Sequence, residues 1–348
     1  MWEKFVAFIK GRKKQKFKIA MAIVIVIICS GLFLCFGKDK NGQGEKIFFQ
    51  VQEGMSSSQI ADELASDNII SSSLSFRIVA RVRGVDGDFK KGVYYFREGM
   101  SINTVLDNLV KGPEEAVVRI TIPEGFTVED IASLLAQKYL VDKEEFCDLA
   151  KDYMPYDYMK EVGENKDVKY AVEGFLFPDT YDFDRSYSAK QIMQIMVDNF
   201  DRRVDEKMKA RARQENLSVF KLITMASLVE KEAKFAEDRP IIADVFFKRL
   251  KEQMPLQSDA TIQYALDKHK EEFTIEDTKL DSPYNTYKHN GLTPGPIGNP
   301  GLASIEAVLN PSDTDYLYFV ADSQGHNHYS VTYEEHLKTI DEIYGGEE

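Results

Sequence analysis

Apolar residues at helical spacing mark the centre of the chain, residues 222–233. They follow the i, i+3, i+4, i+7 rule at Leu222, Met225, Ala226, Val229 and Ala233. This spacing predicts a helix with one buried face. Glu230 and Glu232 fall on the flanks of that face, and Lys231 points away from it. A half-buried carboxyl can act as an acid, yet a solvated helix end has the same pattern, and periodicity does not say which glutamate matters.

A second pattern occurs three times between residues 47 and 149. A β-rich run leads into Glu-Gly, then a Ser or Thr, then an amphipathic helix. The copies are FFQVQEGMS (48–56), VYYFREGMS (93–101) and ITIPEGFT (120–127). Glycine allows the turn that ends a strand, and Ser or Thr is a natural helix N-cap. The pattern predicts an α+β module over residues 47–150 that resembles the LysM-type modules that grip N-acetylglucosamine chains, although a purely structural repeat would look the same.

Beyond residue 150, the periodicity predicts helices joined by loops, closed by a hairpin. The predicted helices cover residues 188–215, 217–234, 237–251, 260–266, 303–309 and 334–344. A buried strand is predicted at residues 316–320, paired with residues 328–331. Residues 281–301 form a long loop rich in Pro, Gly, Asn and Tyr, and long loops inside compact domains are usually functional.

An uninterrupted apolar run at residues 19–36 changes the predicted location of the chain. It is long enough to span a membrane, and the basic cluster before it is expected to stay cytoplasmic. A cleaved signal peptide is the alternative, but no small-x-small cleavage site follows the run. We therefore predict a cytoplasmic tail (1–18), a transmembrane helix (19–37), a linker (38–46) and a single-pass protein with its remaining domains outside the cytoplasm.

Composition excludes several classes of protein. The formal net charge of −13 argues against a nucleic-acid partner. Cys147 is the only thiol outside the predicted anchor, so no intramolecular disulfide is expected there. His326 and His328 alternate on the predicted hairpin, but two histidines without a carboxylate partner are a weak case for a metal site. We expect neither metal nor cofactor.

Several ordered motifs of the carboxyl half together closely resemble one family. They are EGFLFPDTY (173–181), MASLVEKEA (225–233), VFFKRL (245–250), MPLQSDATIQY (254–264), YNTY (284–287), GLTPGPI (291–297) and YLYFVAD (316–322). In this order they resemble the YceG-like family of endolytic murein transglycosylases. Ser258, Ala260 and Thr293 depart from the family pattern, and we expect none of them to touch Glu232.

The resemblance implies an α+β protein with a mixed α/β catalytic domain over residues 151–348. It implies non-hydrolytic cleavage of the β-1,4 bond between N-acetylmuramic acid and N-acetylglucosamine, which leaves 1,6-anhydro-muramyl ends. The second Glu of Glu-Lys-Glu, Glu232, is then catalytic. The other predicted site residues, assigned to substrate positioning or support, are Glu230, Gln257, Asp259, Tyr284 and Asn285. Peptidoglycan strands are the expected ligand, and peptidoglycan synthases such as penicillin-binding proteins are possible partners.

Two alternatives stay open at this stage. A muramidase would hydrolyse the same bond, with Glu232 as acid and Asp259 or Glu230 as its partner. A wall-binding scaffold would have no catalysis at all.

Overall fold

The computed structural model describes residues 46–113, 116–266, 270 and 274–345. The chain divides into two compact units, Met1–Ala116 and Val117–Glu348. The predicted basic tail and anchor lie outside the described residues. Within the described part of the chain, no helix is long and apolar enough to cross a membrane.

Over residues 46–113, the first unit combines a two-stranded antiparallel sheet with three helices. Strand β1 (Lys46–Val51) pairs with β2 (Gly92–Arg97), and helices α1 (Ser57–Ser66) and α2 (Ser73–Val82) lie between them in the chain. Helix α3 (Ile102–Lys111) follows β2. Strands and helices together contribute the buried core residues Phe49, Ile60, Leu64, Phe76, Phe96 and Leu106. The unit therefore has a hydrophobic core of its own.

The predicted strand–turn–cap–helix order is confirmed in all three copies. Ser56, Ser101 and Thr127 each accept a hydrogen bond from the backbone N–H three residues later, as N-caps do. The glycine before each cap has a φ of 71° to 86°, which a side chain disfavours. These features are local, so the amino-acid pattern alone predicts them.

The third copy lies in the second compact unit, which begins at Val117. Strand β3 (Val117–Thr121) pairs antiparallel with β4 (Thr180–Asp184), with Ile120 opposite Tyr181. Helices α4 (Val128–Gln137) and α5 (Lys143–Ala150) follow β3. A partner strand some sixty residues away thus decides where this copy packs, and local pattern carries no information about it.

The predicted helix over residues 188–215 is wrong, because two helices occupy this range. Helix α6 (Ala189–Arg203) ends at Val204, and α7 (Glu206–Gln214) begins after Asp205. The Asp205 carboxylate accepts hydrogen bonds from Lys207 N and Met208 N, so it caps α7. An aspartate that bonds to its own backbone in this way starts a new helix.

The centre of the second unit is helix α8 (Val219–Glu232), which is buried more completely than an amphipathic pattern predicts. Every residue from 222 to 229 is buried. Helices α9 (Asp238–Lys251), α10 (Asp259–Ala265) and α11 (Leu302–Leu309) pack against it, as do α7 and a 3-10 helix at Asp157–Glu164. The predicted single buried face is therefore wrong, since neighbours cover α8 on several sides.

Gly174 allows one of the closest approaches to α8. A β-carbon there would lie 2.6 Å from Ile223 Cγ2 and 2.7 Å from Pro296. Its φ of 86° also disfavours any side chain. The motif EGFLFPDTY therefore contains a packing requirement as well as polar residues.

The carboxyl end forms the predicted hairpin and helix. Strand β5 (Tyr318–Ala321) pairs with β6 (Asn327–Ser330), and α12 (Tyr333–Tyr344) packs on both. The residues of β5 are half-buried or exposed, so the prediction of a buried strand is wrong. Residues 281–301 form the predicted irregular loop, preceded by a 3-10 helix at Asp277–Lys279, and much of this loop is buried.

Candidate active site

Glu232 is the last residue of α8 and is half-buried. Its Oε1 accepts a hydrogen bond from the Ser258 hydroxyl. Burial raises the pKa of Glu232 to about 7; the Ser258 hydrogen bond opposes this shift, Asp259 adds to it, and Arg249 opposes it. A carboxyl with a pKa near neutrality can be protonated and then ionised during one reaction cycle.

Hydrogen bonds to both the N–H and the carbonyl group of Ser258 hold its backbone in place. It is buried, its N–H donates to Thr286 Oγ1 at 3.0 Å, and its carbonyl accepts from Thr261 Oγ1 at 2.7 Å. The expectation that Ser258 does not touch Glu232 is therefore wrong. Ser258, which departs from the family pattern, is therefore a direct hydrogen-bond partner of the candidate acid Glu232.

Asp259 and Tyr287 form the next layer of the site. The Tyr287 hydroxyl donates to Asp259 Oδ1 at 2.6 Å. Asp259 is the first residue of α10 and does not act as its cap, a position held by Ser258. Sequence reasoning missed Tyr287; the motif YNTY was a signal, but it holds two tyrosines and does not say which one faces the site.

Arg249 is a buried cation whose charge lowers the pKa of Glu232. Its Nε donates to Leu317 O at 2.7 Å and its Nη1 to Leu256 O at 2.8 Å, and its guanidinium lies 5.3 Å from the centre of the Tyr318 ring. These bonds hold the segment just before Ser258. The motif VFFKRL contained Arg249, but nothing in its spacing indicated that this charge acts on Glu232.

Glu230 has a separate set of partners. It accepts hydrogen bonds from Arg239 Nη2 at 3.1 Å, Gly301 N at 2.9 Å and Ser304 Oγ at 2.8 Å. Its side chain is 7% exposed. Glu230 therefore ties the end of α8 to α9 and α11, and it shares no described hydrogen-bond partner with Glu232.

Two other predicted site residues stabilise the loop 281–301. Tyr284 is buried, packs on Tyr264 with ring centres 4.9 Å apart, and accepts from Lys169 N. Asn285 is fully buried and donates to the carbonyls of Thr278 and Leu280. The structure does not bring either side chain to Glu232.

Gln257 is exposed beside Ser258, with a left-handed φ of 51°. Its N–H donates to Thr286 O at 3.2 Å. This conformation costs a non-glycine residue energy, and it turns the chain so that Ser258 faces Glu232.

The two hairpin histidines have other partners. His326 stacks on Phe235 with ring centres 4.2 Å apart, and His328 Nε2 lies 3.2 Å from Asp322 Oδ2. Within the ranges that the structure describes, no group of three His, Cys, Asp or Glu side chains is placed to hold a metal ion.

Glu173 is a buried carboxyl at the start of the motif EGFLFPDTY, and the sequence alone did not single it out. It is 1% exposed and accepts hydrogen bonds from Val128 N, Asn299 Nδ2 and the Tyr264 hydroxyl. Burial raises the pKa of Glu173 to about 8, although the hydrogen bonds from Val128 N and the Tyr264 hydroxyl oppose the shift. Since this pKa is above that of an unfolded glutamate, the folded protein holds a proton that the unfolded chain releases.

We expect the free energy of unfolding to fall as pH rises, because the unfolded chain then releases the Glu173 proton that the folded protein still holds. The stabilisation is complete below about pH 4.3 and is lost as pH rises through about 8. The free energy of unfolding should therefore fall by up to about 1.4 kcal/mol per pH unit in that window. Glu173→Gln cannot ionise, so urea unfolding at several pH values should show a shallower dependence than wild type. The exposed variant Glu144→Gln is the control; equal slopes for all three proteins would contradict the expectation.

The model of the YceG-like family matches residues 49–342. A protein of Bacillus subtilis (strain 168) named endolytic murein transglycosylase is 39% identical over 327 residues, covering 90% of each chain. A Streptococcus pneumoniae (serotype 2, strain D39) protein of the same name is 34% identical over 317 residues, which cover 84% of this chain and 57% of that protein.

A solved structure agrees with these relatives. The 2.6 Å crystal structure of a putative yceG-like protein from Listeria monocytogenes has a TM-score of 0.59 and 35% sequence identity to this chain, and covers 85% of it and 100% of its own chain. The likeness in sequence thus extends to the mixed helical and small-sheet fold. The chain belongs to the YceG-like family.

Proposed function

We propose that the protein is an endolytic murein transglycosylase, a lyase that cleaves the β-1,4 bond between N-acetylmuramic acid and N-acetylglucosamine inside peptidoglycan strands. Cleavage within nascent strands would end their elongation. The observation that carries the proposal is one carboxyl, Glu232, whose pKa is about 7 and which Ser258 orients.

In the proposed mechanism, Glu232 acts first as acid and then as base. Its proton passes to the glycosidic oxygen as the bond from C1 to that oxygen breaks, and positive charge develops at C1. The resulting carboxylate takes the proton of the muramyl 6-hydroxyl, and O6 bonds to C1. The Ser258 hydrogen bond and the charge of Arg249 favour the ionised carboxyl between these steps.

Asp259 is the specific observation that favours a hydrolase as the second candidate. It raises the pKa of Glu232 through its charge, and a hydrolase needs a second carboxylate. Mass spectrometry of products from purified strands separates the two reactions. Anhydro-muramyl ends are expected; reducing muramyl ends would make the protein a muramidase, and no new ends would leave a binding protein.

The proposal predicts an alkaline limb in the pH profile. Only protonated Glu232 can donate, so the cleavage rate should fall above about pH 7 and approach roughly a tenfold loss per pH unit. Asp259→Asn removes a charge that raises the pKa of Glu232, so it should move this limb to lower pH. Initial rates measured from pH 5 to 9 test both statements.

The exposed variant Glu144→Gln is the control for this profile, and its limb should coincide with that of wild type. An alkaline limb at the same pH in Asp259→Asn and in wild type would show that Asp259 does not affect the pKa of Glu232. A rate that rises above pH 8 would remove Glu232 from the role of acid.

We also propose the location and the role of the first unit. Residues 19–37 are proposed to anchor the protein in the cell membrane with its amino terminus cytoplasmic, which the uninterrupted apolar run and the preceding basic cluster support. The first unit is proposed to be a LysM-like module that positions the glycan; its own core and repeated strand–turn–helix order support this. Peptidoglycan synthases, such as penicillin-binding proteins, are the proposed partners.

A further inference from the structure

A cavity of about 510 Å³ lies in the second unit beside the end of α8. Its walls come from the loop before α4, the segment before β4, the end of α8 and one face of α10. Its charged lining residues include Glu124, Glu129, Asp130, Glu173, Glu230 and Lys231. The size suits a ligand of a few residues.

Most of the charged groups in this cavity are already paired. Glu129 binds Lys169 Nζ at 2.8 Å, and Glu230 binds Arg239. Asp130 accepts from the N-cap Thr127, and Glu173 accepts from Val128, Asn299 and Tyr264. These four carboxyls therefore build the cavity and have little capacity left for a ligand.

Lys231 and Glu124 differ from this set. Among the residues that the structure describes, neither side chain has a hydrogen bond or an ion pair, and both residues are exposed. The Lys231 side chain passes over Gly298, where a β-carbon would lie 3.2 Å from its Cε. The Glu124 carboxyl covers Gly301 so closely that a β-carbon there would collide with it. The cavity thus offers one unpaired cation and one unpaired carboxyl, both held against glycines.

The cavity and the candidate acid share helices α8 and α10. Lys231 precedes Glu232 directly, and Ala260 follows Asp259 directly on α10. Gln263 and Tyr264 continue the same helix into the cavity. A substrate that extends from Glu232 along α8 and α10 would reach this cavity.

The unpaired charges decide which part of a murein strand suits the cavity. The N-acetylated sugars of the glycan carry no charge, whereas the peptide stems carry carboxylates and the amine of a diamino acid. Each stem is attached to the lactyl group of a muramyl residue, close to the C1 at which the bond breaks. An uncharged sugar would leave both charges unpaired, and a peptide stem would pair them.

We propose that this cavity binds the peptide stem of the muramyl residue at the cleaved bond, with Lys231 on a stem carboxylate and Glu124 on the stem amine. The proposal rests on the proposed function. It makes Lys231 and Glu124 specificity-determining residues that select strands with intact stems over strands without them.

The experiment compares two substrates for each protein. Full-length wild type should cleave peptide-bearing strands with a kcat/KM at least about tenfold above that for strands stripped of peptides by an amidase, as expected for charged hydrogen bonds. In Lys231→Met and Glu124→Gln this ratio should fall towards one. Lys221→Met, on the exposed side of α8, and Glu306→Gln, on α11, are matched controls that should keep the wild-type ratio.

A binding measurement separates this proposal from the proposed function. Calorimetry with a free stem tripeptide and the Glu232→Gln protein should show binding that Lys231→Met weakens about tenfold. Stem binding without cleavage of either strand by wild type would overturn the proposed function and keep the cavity assignment. Equal kcat/KM for the two strands in wild type, or an unchanged ratio in Lys231→Met, would overturn the cavity assignment and keep the proposed function.

Discussion

Glu232→Gln is expected to lower the rate of strand cleavage at least about a hundredfold, the scale of general acid–base catalysis, while the fold stays intact. The glutamine amide has nearly the same shape and can still accept the Ser258 hydrogen bond through its carbonyl oxygen. It cannot donate a proton to the glycosidic oxygen or reclaim one from the 6-hydroxyl. Burial also favours a neutral group at this position, so the substitution should not lower stability.

Product formation on purified strands is the primary measurement, with thermal unfolding alongside it. Ser258→Ala is an informative second variant, because it removes the described hydrogen-bond partner but leaves the acid. The Ser258 bond lowers the pKa of Glu232, so this variant should raise that pKa and move the alkaline limb of the rate to higher pH. Activity of Glu232→Gln within a factor of about ten of wild type would exclude Glu232 as the acid.

Glu230→Ala is expected to give the opposite phenotype, a loss of about 3 to 5 kcal/mol in the free energy of unfolding, the cost of breaking a buried ion pair. The substitution leaves Arg239 Nη2, Gly301 N and the Ser304 hydroxyl without the acceptor they share, while Arg239 Nε keeps its bond to Ser304 Oγ. Arg239 is only 13% exposed, so water compensates poorly for the lost carboxylate. The end of α8 should loosen from α9 and α11.

Urea unfolding of the full-length protein measures this loss. The double variant Glu230→Ala with Arg239→Ala removes both charges, so it should be less destabilised than the sum of the two single variants. Wild-type stability in Glu230→Ala together with a hundredfold loss of cleavage would reverse the roles assigned here to the two glutamates. The contrast between the two substitutions is a direct test because the residues are separated by one position on one helix.

Local features of the fold were the ones that the amino-acid pattern predicted well. The caps at Ser56, Ser101 and Thr127 and the glycine turns before them depend on neighbours within a few residues. The break between α6 and α7 is also local, but the apolar periodicity on both sides hid the cap at Asp205. Assignment of the third repeat to the second unit needed β4, which is distant in the chain.

The same distinction between local and distant contacts applies to the site residues. The motifs pointed to the segments around Ser258 and Tyr287, yet they favoured Tyr284 and Asn285, which the structure uses to hold a loop. The bond from Tyr287 to Asp259 joins residues 28 apart, and that from Ser258 to Glu232 joins residues 26 apart. Sequence spacing does not report which of several polar side chains in a motif meets another motif.

The sequence by itself determined that residues 222–232 form a helix ending in two carboxylates, and the order of its motifs indicated the family. Helical periodicity placed Glu230 and Glu232 on nearly equivalent flanks of the buried face, and only the resemblance to the family favoured Glu232 as the acid. The tertiary structure decides between them physically: Glu230 meets Arg239 and two further donors, whereas Glu232 meets Ser258 in a setting that raises its pKa. The reason is that the partners of a helix end come from segments distant in sequence, and those partners decide the role of each carboxyl.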